Sequence, residues 1–186
     1  MNILLASIQR SGSTYLFRKL AGLPIKSTTP KDHFIVKGET PIFYVKNGDY
    51  KIFKTHLPHE YWKDFDGLKI FLFGDIIQSI ASTYHKRFEP NSFKQCGYFG
   101  EKKDIFTEDF LGFEHMFDSW IGNANVILRY ENLKEDIKQL SSYGIEVDLS
   151  DFNLRLRNNE KNLSQSQYGN LLQTYYSLIH KTKLLF

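Results

Sequence analysis

The sequence contains a single cysteine, Cys96, among 186 residues. No internal disulfide can form, and no cysteine-based metal cluster can be assembled. That is compatible with a reducing compartment. No apolar run approaches the roughly 18 residues that a helix needs to span a bilayer. The short run Ile3-Leu4-Leu5 soon gives way to Gln9 and Arg10, without the small-residue cleavage pattern of a secretory leader. The expectation is a soluble cytoplasmic chain with no membrane association. Charge of one sign is scarce as well. A net charge of +3 falls short of the concentrated basic face expected of a nucleic-acid binder, so no nucleic-acid partner is expected. It suits a small anionic ligand. Internal repeats and low-complexity stretches are absent.

Aromatic residues are plentiful: 16 Phe and 11 Tyr. Most belong in a core, and a minority are available to line a pocket for a base or a ring-shaped substrate. The length favours one domain over residues 1–186, with enough core to fold alone. The alternation of elements predicts an α/β fold: three layers, with a mostly parallel central sheet flanked by helices. A buried strand is expected over Asn2 to Ser7, then a helix from about Thr14 to Ala21, stopped by Gly22 and Pro24. Two β-rich runs, Ile42–Lys46 and Asp49–Phe53, flank Asn47-Gly48, a strong hairpin signal because both positions tolerate positive φ. Residues His59 to Phe65 read as a short helix, Leu68 to Phe73 as a strand, and Ile76 to Phe88 as a helix. Residues 89–106 form an irregular stretch, expected to be a lid or acceptor loop. Helices are expected over Thr107 to Ile121 and Glu131 to Ser142, with a strand at Asn125 to Arg129 between them. A terminal helix is expected over Ser164 to Lys183, with Leu171, Leu172, Tyr175, Leu178 and Ile179 on its apolar stripe.

Two segments carry chemistry. The first, Ser7-Ile8-Gln9-Arg10-Ser11-Gly12-Ser13-Thr14-Tyr15, joins the first strand to the first helix. Successive backbone N–H groups in such a turn converge on one concavity, and the helix N-terminus adds partial positive charge. Gly12 admits close approach of an anion. Ser13 and Thr14 offer hydroxyl donors, and Arg10 can bind a phosphate through two parallel hydrogen bonds. A plain connection with a serine helix cap remains the alternative. The segment lacks the Gly-x-x-x-x-Gly-Lys-Ser/Thr pattern of nucleoside triphosphatases, and no clear magnesium-binding Asp accompanies it. The second segment is Lys54-Thr55-His56-Leu57-Pro58. Residues two apart on an extended chain face one side, so Lys54 and His56 can reach one cleft: a candidate general base beside a cation. The alternative is a surface strand end with two polar side chains.

Together these segments resemble the sulfotransferases that use 3′-phosphoadenosine-5′-phosphosulfate (PAPS). Arg10-Ser11-Gly12-Ser13-Thr14-Tyr15 is similar to their 5′-phosphosulfate loop, with Arg10 where the cytosolic branch has lysine and other branches have arginine. Lys54-Thr55-His56-Leu57-Pro58 matches the cytosolic branch's strand-end motif. Arg129-Tyr130-Glu131-Asn132-Leu133-Lys134-Glu135-Asp136 is similar to a further family segment. Phe73-Gly74-Asp75 with Ser82 falls where the family binds the 3′-phosphate, with Gly74 in place of the family's arginine. The C-terminal Arg-Lys-Gly motif is not visible. The likeness spans residues 2–136 and implies a P-loop-type fold.

The resemblance implies an enzyme that moves a sulfuryl group from PAPS to an acceptor hydroxyl, or less readily an amine, releasing 3′,5′-adenosine bisphosphate, without a metal. His56 would act as base, with Lys54 and Arg10 stabilising charge on the transferred group and the leaving phosphate. Ser11, Gly12, Ser13 and Thr14 would cradle the donor, Tyr15 and Tyr130 would lie near adenine, and Ser82 near the 3′-phosphate. Either Lys86, Arg87, Arg155 or Arg157 would replace the missing arginine, with the Arg155–Arg157 segment favoured, or discrimination for the 3′-phosphate would be weak. The acceptor, a small molecule, a carbohydrate or a peptide, is left open, as is the oligomeric state. A catalytically inactive nucleotide binder and a small P-loop kinase are the competing readings. The remaining histidines, His33, His59, His85, His115 and His180, fall in no motif.

Overall fold

The computed structural model describes residues 1–24, 34–37, 40–84, 93–98, 105–154 and 157–185; of 34–37 and 40–43 only the strand pairing is described. One sheet of six strands forms the centre, in the order β2-β3-β4-β1-β5-β6. These strands are β1 (Asn2–Ser7), β2 (Phe34–Lys37), β3 (Thr40–Asn47), β4 (Tyr50–Thr55), β5 (Leu68–Phe73) and β6 (Val126–Arg129). Strand β1 lies between β4 and β5 and is parallel to both, with Ala6 opposite Thr55 on one side and Phe71 on the other. Strand β6 continues the parallel set beyond β5, and β2 and β3 extend the other edge in antiparallel fashion. The sheet is therefore mostly parallel, as the alternation of elements predicts.

Alternation along the strands explains the layers. Ile3 and Leu5 of β1 and Ile70 and Leu72 of β5 pack with Leu16, Phe17 and Leu20 of α1 (Ser13–Leu20) and with Leu133, Leu140 and Phe152. Leu4, Ala6, Phe71 and Phe73 point the other way. They meet α2 (Ile76–Tyr84), α3 (Phe113–Ile121) and the C-terminal helices α5 (Gln165–Thr174) and α6 (Tyr176–Leu184), through Ile80, Phe117, Trp120, Leu171 and Leu178. One core is mainly aliphatic and the other strongly aromatic. Among the described residues no helix is long and apolar enough to cross a membrane.

Several sequence expectations are corrected. The helix expected over Glu131 to Ser142 is a relay of short pieces: a 3-10 turn at Tyr130–Asn132, a single α-turn α4 at Leu133–Asp136, and a 3-10 stretch at Ile137–Tyr143. Helix α3 begins at Phe113 rather than Thr107, because the Asp109 carboxylate accepts from the backbone N–H of Phe113 and Glu114 at 2.9 and 2.8 Å and so caps that point. The long terminal helix breaks at Tyr175, whose hydroxyl donates to the Ile105 carbonyl at 2.9 Å. The expected stripe holds in part: Leu171, Tyr175 and Leu178 are buried, but Leu172 is 37 % exposed. Strand β2 had no clear sequence signal. The hairpin turn falls on Gly48 and Asp49, with Asn47 still paired to Tyr50.

Within the expected lid, Phe93, Ile105 and Phe106 are core residues. The rest of 89–106, apart from 94–98, lies outside the described residues, as do His33, His85, Lys86, Arg87 and Arg155.

Candidate functional site

The site forms at the C-terminal ends of β1, β4 and β5, where parallel α/β sheets place their ligands. Strand β1 ends at Ser7 and the chain turns sharply into α1. Two residues of this turn have left-handed backbone: Arg10 at φ 64°, the one non-glycine residue with positive φ among the described residues, and Gly12 at φ 84°. A side chain on Gly12 would be strained by that φ, and its Cβ would also lie 2.3 Å from the Tyr130 ring. Glycine is thus required both by conformation and by the ring packed beneath the loop. Ser11 anchors the loop: its hydroxyl donates to the Ile8 carbonyl at 2.5 Å, with the Leu72 carbonyl at 3.3 Å. Its side chain is committed to holding the turn, and only its backbone is left for an anion. Ser13 is likewise buried at the start of α1.

A cleft of about 660 Å³ opens over this loop, lined by Arg10, Gly12, Thr14, Tyr15, Arg18, Ser82, Tyr130, Arg157 and the Asp151–Asn153 segment, among others. The Arg10 guanidinium donates through Nε to Ser82 Oγ at 3.0 Å. Burial, and then the nearby Arg157 charge, lower its pKa from the ordinary value. Arg157 donates to the Arg10 carbonyl, and its guanidinium lies 4.4 Å from the Tyr130 ring centroid. In this state Arg157 covers a face of Tyr130, so Tyr130 supports the loop and the arginine rather than presenting an open face to a base. Arg157 is placed by its neighbours: Asn159 N–H donates to Gln78 Oε1 at 2.9 Å, and Gln78 Nε2 donates to Glu160, clamping the segment to α2.

Lys54 and His56 do not line the cleft; they are buried behind the loop. Lys54 Nζ donates to Thr14 Oγ1 at 3.0 Å. His56 Nδ1 lies 2.7 Å from the Ser7 carbonyl, with Ser7 Oγ at 3.2 Å. A carbonyl only accepts, so Nδ1 carries the proton and Nε2 carries the lone pair. The alternate residues of the motif do structural work. Thr55 Oγ1 accepts from Leu57 N–H at 3.0 Å and Trp62 Nε1 at 3.2 Å, and the Leu57 carbonyl accepts from Trp120 Nε1 at 3.0 Å. These bonds fix the backbone on either side of His56.

The electrostatics follow from burial and crowding. Burial, then Arg10 and Arg18, push the Lys54 pKa down from 10.5 to about 7. Burial first, then the Lys54 charge, push His56 down to about 3, against a partly offsetting bond to Ser7. His56 is therefore neutral over the physiological range. An anion in the cleft would offset the cations' repulsion and raise both values.

Elsewhere in the lining, the Tyr15 hydroxyl donates to Asp151 Oδ1 at 2.7 Å, and Lys19 Nζ reaches the same oxygen at 2.7 Å. Burial, then this bond, raise the Tyr15 pKa. The Tyr15 ring sits 5.3 Å from Phe152.

The structure thus brings Arg10, Gly12, Thr14, Tyr15, Ser82 and Tyr130 to one cleft and places Lys54 and His56 directly behind it. Arg18, Asp151, Phe152, Asn153 and Asn159 also line it and were not singled out from sequence. Arg18 was findable, one helical turn beyond Thr14 on α1. Residues 151–154 and 157–158 lie in no helix or strand, and the sequence there carries no periodic signal. Gly74 sits under the same 3-10 turn: a Cβ there would meet Tyr130 Cβ at 3.1 Å and Glu131 Oε1 at 3.2 Å. Glu131 accepts there from Asp75 N–H at 2.9 Å. The Asp136 carboxylate is structural too, accepting from Arg129 N–H at 2.8 Å.

No family model and no curated protein matches the chain. Among solved structures it is similar to a probable GTP-binding protein engB, at 16 % identity over 81 % of this chain and 84 % of that one, with a TM-score of 0.31. At that level the likeness carries no functional argument.

Proposed function

We propose that this chain transfers a sulfuryl group from PAPS to an acceptor hydroxyl, with His56 as general base. The observation that carries the reading is the union of two strand ends: an anion-receptive turn with left-handed Arg10 and Gly12, and a neutral histidine with Nε2 left as the lone pair, tied by Nδ1 to the last residue of the strand feeding that turn. An anion-binding turn alone fits a binder. A histidine held in one tautomer beside a buried lysine is a poor investment for mere binding, and favours catalysis.

In this reading the donor's 5′-phosphosulfate sits against the backbone N–H groups of the turn and the N-terminus of α1. Arg10, in the lining, and Lys54, from behind the loop through Thr14, stabilise the charge that grows on the bridging oxygen and the 5′-phosphate as the S–O bond breaks. The acceptor oxygen attacks sulfur in line, and Nε2 of His56 takes its proton. Donor binding raises the His56 pKa by offsetting Lys54 and Arg10, so the base strengthens when the donor is in place. Arg157 supplies the cation absent at position 74, in keeping with replacement from the C-terminal segment.

The test measures release of 3′,5′-adenosine bisphosphate from PAPS across a panel of phenol, sugar and peptide acceptors, in chelator. Donor-dependent transfer is expected, and His56→Ala should lower turnover by about 100-fold or more while bisphosphate affinity survives. Affinity without transfer in every acceptor class selects the binding-only reading. Tight binding of ATP with magnesium, and not of the bisphosphate, selects the kinase.

A further inference from the structure

The chain leaves the sheet ladder at Thr55, the last residue of β4 paired with β1. From there side chains hold the backbone. Leu57 N–H donates to Thr55 Oγ1 at 3.0 Å, and Trp62 Nε1 donates to the same oxygen at 3.2 Å. Trp120 Nε1 donates to the Leu57 carbonyl at 3.0 Å, and His59 N–H donates to Ser119 Oγ at 3.1 Å. Trp120 and Ser119 both belong to α3. The chain has two tryptophans, Trp62 and Trp120. Each sends its indole N–H to a residue adjacent to His56, one to Thr55 and the other to Leu57.

Packing alone does not ask for an indole at position 120. Trp120 is fully buried in the aromatic core, its ring stacked on Phe71 with centroids 6.4 Å apart. Phe71, Phe73, Phe113 and Phe117 fill the same core with no polar group to satisfy. A buried indole N–H costs stability unless it finds an acceptor. Here the acceptor is the carbonyl of the residue that follows the histidine. His56 is thus held from two sides. Its Nδ1 is tied to the Ser7 carbonyl at the end of β1, and the backbone beyond it is tied to α3. Leu57 and Trp120 are both buried and neither lines the cleft. Resting on the sulfuryl-transfer reading above, we infer that Trp120 is a positioning residue of the reaction. Its indole N–H holds the Leu57 carbonyl, and through it the His56 ring, so that Nε2 stays where the acceptor proton is taken. Trp62 supports the other side through Thr55. Misplacing a reacting group by about 1 Å costs about 100-fold in rate; loosening one of two ties should cost about tenfold.

The experiment compares wild type with Trp120→Phe, which keeps an aromatic ring and removes the N–H. Transfer from PAPS to the best acceptor of the panel is measured on the full chain in chelator. Turnover should fall about tenfold, with the KM for PAPS and the affinity for 3′,5′-adenosine bisphosphate held within about twofold. In a His56→Ala background the same substitution should leave the residual turnover unchanged, because its effect runs through the histidine. Unchanged turnover in Trp120→Phe overturns the inference. So does an equal loss in both backgrounds, or a matching loss of bisphosphate affinity, since either marks general damage to the fold. If Trp120→Phe does not fold, the measurement is made on chain grown with benzothienylalanine in place of tryptophan. That residue keeps the shape of the indole and exchanges its N–H for sulfur, and the same outcomes decide. If the wild type transfers nothing from PAPS, the sulfuryl-transfer reading fails and this inference falls with it; an active wild type with an indifferent Trp120→Phe sinks the inference alone.

Discussion

The middle of the sheet and its C-terminal edge are built from opposite materials. In the middle, Leu4, Leu5, Ile52, Ile70, Phe71 and Leu72 are buried with apolar neighbours on both faces. At the edge, burial falls on Ser7, Gln9, Ser11, Ser13, Lys54, Thr55 and His56, with Ser79, Ser82 and Thr83 on the adjoining helix. Among the described residues only Asp136 and Thr182 are buried polar groups elsewhere. The middle lowers the free energy of folding by removing apolar surface from water. The edge works against it by burying a cation and a histidine. A chain that retains such an edge is using it for something other than stability, and the two regions should respond oppositely to substitution.

The largest expected effect tests the middle. Phe71 is fully buried against Phe73, Phe117 and Trp120. Phe71→Ala should destabilise the protein by about 3–5 kcal/mol, through lost transfer energy and a cavity. Chemical denaturation reads this out, and ligand affinity should be little changed in the fraction that stays folded.

Gly12→Ala tests whether the edge is conformationally special. It forces an L-residue into φ 84° and drives a methyl into Tyr130. A loss of about 1–3 kcal/mol is expected from the backbone alone, together with loss of bisphosphate binding. Unchanged affinity would show that the turn is not the anion site.

Lys54→Met reverses the sign. Removing a buried ammonium close to Arg10 and Arg18, while keeping its bulk, should raise the melting temperature of the ligand-free protein at pH 6 by a few degrees, as expected for about 1 kcal/mol. Donor affinity should fall at the same time. A variant that loses both stability and affinity would place Lys54 with the core rather than the site.

The pH profile tests the same edge without a substitution. Lys54 holds its proton less tightly in the folded chain (about 7) than its ordinary value of 10.5. The unfolded state binds the extra proton between those values, so stability should rise with pH across roughly 7 to 10.5. His56 follows the same sign lower down: its folded value is about 3 against 6.5, so stability should fall as the pH drops from about 6.5 towards 3. A bound bisphosphate should flatten the upper rise by pulling the Lys54 value back up. Its binding near pH 8 should take up protons, which calorimetry in buffers of different ionisation enthalpy detects.

Much of the middle was legible in the chain, because strand period and apolar composition are local. Leu68-Lys69-Ile70-Phe71-Leu72-Phe73 announces both a strand and, through its alternation, the split between an aliphatic and an aromatic face. The helices were less legible wherever a tertiary bond set their ends. Asp109 starts α3 late and Tyr175 divides the terminal helix, and neither event appears in helical periodicity. At the edge, Arg10, Gly12, Lys54 and His56 could be chosen from residue type and spacing, since two residues on a strand end share a side.

What the sequence by itself determined, then, is the layered α/β plan, the turn between β1 and α1, and the pairing of Lys54 with His56 on one strand end. Each depends on neighbours within a few positions. Only the tertiary structure decided that Ser11 is spent on holding the loop, that Tyr130 lies under Gly12 with Arg157 over its ring, that the His56 proton sits on Nδ1, and that Asp151 takes both Tyr15 and Lys19 on one oxygen. Those facts join residues separated by dozens of positions, through contacts that exist only after the sheet has brought β1, β4 and β5 together. No local pattern encodes them, because their energy comes from the meeting of segments rather than from either segment alone.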